Sequence, residues 1–167
     1  MRNIILLVVI TIFCNSILGQ DIPSIQIKDL TGKPANIQEL VQNDGKPVIL
    51  TFWATWCKPC IKELEAFNEN FFDWQDETGV KIIAVSIDEA RSISRVAPFV
   101  NGKSWEFDVY TDENSELKRA MNVNDPPFLF ILNGEGKVVY QHSSYMEGDE
   151  NHTYEILKKI VAGLPIE

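Results

Sequence analysis

Val48-Ile-Leu-Thr-Phe-Trp53 is an almost unbroken apolar run, the pattern of a central strand covered on both faces. From Lys58 the period changes. Ile61, Leu64, Phe67, Phe71 and Trp74 recur every third or fourth position, with Glu65, Glu69, Asp73 and Asp76 on other faces. That spacing predicts an amphipathic helix with a solvated acidic side, ending near Gly79. Lys81-Ile-Ile-Ala-Val-Ser-Ile87 reads as a second buried strand, and a helical stretch follows around 92–100. A short strand about 107–110 precedes a helix over 115–121. The apolar segments 128–132 and 137–141 flank Asn133-Gly-Glu-Gly136, a strand–turn–strand hairpin. Near the start, residues 25–30 alternate like a strand and run into the turn Thr31-Gly-Lys-Pro34. Near the end, Asp149 is placed to cap a helix reaching Gly163. Strand–helix–strand followed by strand–strand–helix is the order of an α/β fold with a mixed central sheet flanked by helices.

At 167 residues the chain fits one domain with a proper core, and its composition, 45% hydrophobic and 23% charged, is that of a globular protein. No internal repeat or low-complexity tract divides it. The formal net charge of −9 opposes affinity for nucleic acid or anionic membrane, since both reward clustered Lys and Arg. One segment departs from the globular pattern. Met1-Arg2-Asn3 is followed by an uncharged apolar run over 4–13 and then by small and polar residues up to Gly19-Gln20. That is the layout of a secretory signal peptide, with an apolar part too short to span a bilayer comfortably. The expected division is a signal peptide over 1–19 and one domain over 20–167, located in the periplasm or cell envelope. Cys14 follows Phe13, whereas a lipoprotein signal wants a small residue there, so Cys14 reads as an apolar residue of the leader and not as a lipid anchor.

Cys57 and Cys60 then remain, and a lone close pair in an exported protein is a poor disulfide scaffold. A zinc site would need four ligands, and beyond the pair only His142 and His152 remain, both read as surface residues. The strand-to-helix junction puts Cys57 at the helix N-terminus, where unpaired N–H groups and the helix dipole favour negative charge. Lys58 adds a cation, and Pro59 sits in the first turn, where its missing N–H costs nothing. Cys57 is therefore expected to be the exposed, more acidic thiol and Cys60 the buried one. An acidic thiolate with a resolving partner is the apparatus of thiol–disulfide exchange. Redox chemistry is the preferred use of the pair, with an inert structural disulfide and a zinc half-site as the alternatives.

The segment Phe52-Trp-Ala-Thr-Trp-Cys-Lys-Pro-Cys60 followed by Lys62-Glu63 resembles the active site of the thioredoxin-like thiol:disulfide oxidoreductases of the bacterial envelope, the TlpA/ResA-like group. Gly32-Lys33, Gly45-Lys46-Pro47 and Pro127-Phe-Leu-Phe-Ile-Leu-Asn133 follow in family order, and the resemblance extends over about 22–160. It implies a thioredoxin-like fold with an N-terminal β extension. Some positions depart from the pattern. Cytosolic thioredoxins bury a carboxylate where this chain has Thr51, and the envelope family places a glutamate at Glu63 instead. A common helix proline is replaced by Glu65, which predicts a straighter helix, and a usual glycine before Tyr145 is Ser144.

What the resemblance implies for function is an exported reductase of disulfides, with Cys57 as nucleophile and Cys60 as resolving thiol. Glu63, one turn beyond Cys60, shares its helix face; spacing alone leaves it as either a carboxylate serving the thiols or one more acid on a solvated helix, and the resemblance favours the former. Trp53 belongs to the core, and Trp56 offers a flat apolar rim for a substrate chain. By family spacing Pro127 is the active-site proline preceded by a cis bond, and Pro126 is the residue that pairs with the substrate strand. Implied partners are disulfide-containing envelope proteins, with apocytochrome c as one candidate, and a membrane electron donor. Neither an organic cofactor nor a metal is implied, and a monomer is expected. A disulfide-introducing oxidant or isomerase, or a non-catalytic binding module, are the competing functions.

Overall fold

The computed structural model describes residues 19–166. All of the expected signal peptide except Gly19 therefore lies outside the described residues. In chain order the elements are β1 (Gln20–Asp21), β2 (Gln26–Asp29), β3 (Pro34–Asn36), α1 (Ile37–Leu40), β4 (Val48–Trp53), α2 (Lys58–Thr78) and β5 (Lys81–Ser86). A 3-10 turn over Ile93–Arg95 leads into α3 (Val96–Lys103), then β6 (Asp108–Thr111), α4 (Glu116–Ala120), β7 (Phe128–Leu132), β8 (Lys137–Ser143) and α5 (Asp149–Val161).

The strands form one mixed sheet in the order β1-β8-β7-β4-β5-β6-β2-β3. β4 pairs in parallel with β5, and β5 with β6, while β7 lies antiparallel to β4 and to β8. All six residues of β4 are buried, which is why its sequence shows no polar alternation. Each large apolar side chain hidden this way contributes about 1.5–3 kcal/mol. The sheet edges are different in kind. β1 and β3 are two and three residues long, and Pro34 opens β3 at the outer edge, where a missing N–H leaves no ladder bond unmade.

α2 is an uninterrupted 21-residue helix. It starts with Pro59 in its first turn and stops at Gly79, whose φ of 67° is left-handed and lets its N–H bond the carbonyl of Gln75. The inward stripe consists of Cys60, Glu63, Leu64, Phe67, Phe71, Trp74 and Thr78. Trp74 stacks on Tyr154 of α5 with ring centroids 5.5 Å apart, which docks the last helix beside α2. As expected, Glu69, Asp73 and Asp76 face solvent, and Glu65 pairs with Lys103 at the surface. One expectation is corrected: Asp149 is the first residue of α5, not its cap. Gly148 holds the cap position with φ 106°, and the Asp149 carboxylate instead accepts from the N–H of Met146 at 2.8 Å.

Candidate active site

β4 ends at Trp53, and the next four residues turn the chain into α2. Cys57 occupies the N-cap of that helix in an extended conformation (φ −92°, ψ 96°), and its sulfur accepts from the N–H of Cys60 at 3.3 Å. The two cysteines are joined as a disulfide. Cys57 is 5% exposed and Cys60 0%, so the expected order of accessibility holds, although the bonded Cys57 is far less open than a free helix terminus suggests. Trp56 stands beside them at 62% exposure, while Trp53 is buried and packs edge-on against Trp105 at 5.2 Å.

Glu63 is not on a solvated face. It is 2% exposed, and one carboxylate oxygen accepts from the hydroxyl of Thr51 at 3.0 Å. Burial pushes its pKa up to about 8, opposed by the Thr51 hydrogen bond and helped by the charge of Asp149. Thr51 is the strand position at which a carboxylate was missing from the sequence. The acid beneath the site thus comes from the helix, and the strand supplies its hydrogen-bond donor.

The segment around Pro127 leads into β7, whose Phe128 pairs with Phe52 of β4 a few residues before Cys57. The Pro126–Pro127 peptide is cis, in line with expectation, and the Pro127 carbonyl accepts from the N–H of Ser144 at 3.0 Å. Ser144 has φ 67°, the left-handed region that glycine enters freely and that costs other residues about 1–2 kcal/mol. That backbone angle accounts for a glycine being usual there. Beyond it, the Tyr145 hydroxyl donates to Glu150 at 2.7 Å. Burial, that bond and surrounding acids including Glu63 hold the Tyr145 pKa above its usual value. Pro126 is half-buried and, with Trp56, lines a cleft of about 420 Å³. His142 lies 3.6 Å from Asp149 at the surface, and among the described residues no group of three or more His, Cys, Asp or Glu side chains is placed to hold a metal.

Asp88 is the residue that sequence reading missed. It is fully buried, and its carboxylate accepts from the Thr55 N–H at 2.8 Å, the Thr55 hydroxyl at 2.7 Å and the Ser86 hydroxyl at 2.9 Å. Those bonds tie the turn carrying Trp56 and Cys57 to the end of β5. The available signal was its place directly after a buried parallel strand, at the same sheet end as Cys57. Asp88→Ala removes the acceptor of three donors, one of them the fully buried Ser86 hydroxyl, and is expected to cost about 2–4 kcal/mol. Urea unfolding of the oxidised protein measures it; a loss below about 1 kcal/mol would show that the turn does not depend on Asp88.

The sequence matches the AhpC/TSA family over residues 18–141. It is 36% identical over 143 residues to the thiol-disulfide oxidoreductase ResA of Bacillus thuringiensis (strain Al Hakam), covering 86% of this chain and 78% of that protein. Among solved structures, a thioredoxin-like protein from Porphyromonas gingivalis superposes with a TM-score of 0.75 at 45% identity, covering 84% of this chain and 92% of the other. StoA from Bacillus subtilis superposes with a TM-score of 0.60 at 26% identity, covering 80% and 99%. By these matches, and by the paired sulfurs at the start of its longest helix, the chain belongs to the AhpC/TSA family of thioredoxin-like oxidoreductases.

Proposed function

We propose that the chain is an exported reductase of protein disulfides, produced with a signal peptide over 1–19 and working in the periplasm or envelope as a single domain over 20–167. The Cys57 thiolate attacks one sulfur of a partner's disulfide, forming a mixed disulfide and releasing the other partner sulfur as a thiolate. Cys60 then attacks the Cys57 sulfur, re-forming the internal disulfide and releasing the second partner thiolate. The partner gains two electrons, the protein's dithiol loses them, and a membrane electron donor restores the dithiol.

The observation that carries this reading is the Cys57–Cys60 disulfide at the start of α2, one turn before the buried Glu63, whose pKa burial pushes up to about 8. A carboxyl with its pKa near 8 can give up or take a proton close to neutral pH, when Cys60 must become nucleophilic. Trp56 supports the approach of a substrate chain, and Pro127 sets the opposite wall. Partners are disulfide-containing envelope proteins, apocytochrome c among the candidates. The test is to mix dithiol protein with a peptide disulfide and follow peptide thiol release and protein oxidation together. Stoichiometric transfer is expected; electron flow only in the reverse direction would make the protein an oxidant, and no transfer would leave a binding module.

Pro126 imposes a further expectation. A substrate strand lying beside it finds a carbonyl but no N–H, so one backbone hydrogen bond, typically worth ~1 kcal/mol, is missing. Pro126→Thr supplies that donor and is expected to tighten peptide binding by up to about tenfold. Unchanged affinity, measured by calorimetry on the oxidised protein, would mean that substrates do not pair there as strands.

A further inference from the structure

We propose that the cleft beside Trp56 is a specificity pocket for acidic side chains flanking the substrate's cysteine. The proposal rests on the reductase reading and adds a substrate class to it. The cleft, about 420 Å³ in volume, is lined by Trp56, the residue before Cys57, by Pro126, and by Arg91, Arg95 and Lys118. An extended chain advances about 3.3 Å per residue, so with its cysteine sulfur at Cys57 the next two or three residues fall over this cleft.

The charges within the cleft do not cancel. Glu89 and Asp125 also line it, but Glu89 is engaged by Arg91 at 3.1 Å. Among the described residues, neither Arg95 nor Lys118 forms an ion pair with a carboxylate. Two unpaired cations thus stand against the single carboxylate of Asp125, in a chain whose formal net charge is −9. The contrast matters for recognition: in a chain of net negative charge, the cleft that Trp56 lines, one residue before Cys57, carries unpaired cations that favour an acidic polypeptide.

The cations are carried on two connections at this end of the sheet. Arg95 ends the 3-10 turn after β5, and Lys118 lies in α4, where its N–H bonds the carboxylate of the buried Asp112 at 2.8 Å. Ser115 lines the same cleft, and its hydroxyl caps nothing. The guanidinium, the ammonium and the hydroxyl are donors that outnumber the one carboxylate left to them in the cleft, and a further carboxylate is their complement. Because the pairs are exposed to water, the discrimination they give is moderate and sensitive to salt.

The test uses the reduced full-length protein and three peptide disulfides that differ only beside the cysteine, carrying Glu, Ser or Lys there. The expected order of kcat/KM is Glu, then Ser, then Lys, with about a tenfold spread at low ionic strength that narrows in ~0.5 M salt. The double variant Arg95→Gln/Lys118→Gln is expected to bring the Glu-to-Lys ratio towards one. A binding arm needs no redox step: the Glu peptide with serine in place of cysteine should bind the oxidised protein and perturb the Trp56 indole signal, less so in the double variant. Equal rates of reduction of the three peptide disulfides, or a preference that survives in the double variant, would overturn the pocket. Reduction of none of the three, with binding of the serine peptide intact, would overturn the reductase reading and leave the pocket. A preference for oxidised glutathione with none among the peptides would replace the acidic polypeptide by a small anionic disulfide.

Discussion

Cys57→Ser is expected to lower disulfide reduction to roughly a thousandth of the wild-type rate or less, while Cys60→Ser keeps the first step and stops at the mixed disulfide. The asymmetry follows from the helix. Cys57 is the N-cap of α2, and its sulfur already accepts the N–H of Cys60 in the oxidised protein. After reduction that N–H and the helix dipole remain to stabilise a thiolate at Cys57, and a serine hydroxyl is far too weak an acid to take its place. Cys60 is fully buried one turn in, and no substrate sulfur reaches it first. In the proposed reaction its task is intramolecular attack, so its loss is expected to strand the covalent intermediate. Non-reducing electrophoresis after mixing with a disulfide protein should show a new, thiol-sensitive band with Cys60→Ser and none with Cys57→Ser. Equal activity of the two variants would sink the assignment, and trapping by Cys57→Ser instead would reverse the roles.

The central elements of this fold were legible because burial leaves a periodic trace. β4 shows it as an unbroken apolar run, α2 as a stripe every third or fourth residue, and the β7–β8 hairpin as two apolar segments around a glycine-rich turn. The edge strands left no such trace. β1 pairs Gln20 with Val138 and Asp21 with Lys137, an arrangement set by what β8 offers and not by any alternation in two residues. The cysteine pair was legible for the same local reason, since a helix start can be read from the change in period.

Glu63 and Asp88 show where the sequence falls short. Glu63 has the same spacing as a surface acid, and its burial is decided by Thr51, twelve residues earlier on the strand beneath. Asp88 is held by Thr55 and Ser86, from two different strand ends that only the parallel pairing of β4 and β5 brings together. A buried acid is a tertiary fact. The cleft cations are another case: Arg95 and Lys118 are far apart along the chain and meet only because two connections fold over the same end of the sheet.

Glu63→Gln is expected to flatten the pH dependence of stability in the oxidised protein. The folded-state pKa of Glu63 is pushed up to about 8 by burial, against an ordinary value of 4.5. The folded state therefore holds a proton that the unfolded chain releases between those values. The associated stability is fully present below pH 4.5 and is lost as pH rises through about 8. A shift of that size corresponds to roughly 4–5 kcal/mol across the window. Glutamine keeps the shape, still offers an oxygen to the Thr51 hydroxyl and has no proton to lose. Urea midpoints at acidic pH should then be similar for the two proteins, with the variant the more stable by several kcal/mol on the alkaline side. All other titrating groups are shared, so the difference between the two curves isolates this one. Reduction adds a functional consequence, because a carboxylate near the thiols opposes a second negative charge there; Glu63→Gln should lower the apparent thiol pKa values and move the pH–rate profile with them. Parallel stability curves, together with unchanged thiol titrations, would mean that Glu63 is ionised throughout and takes no part in handling the proton.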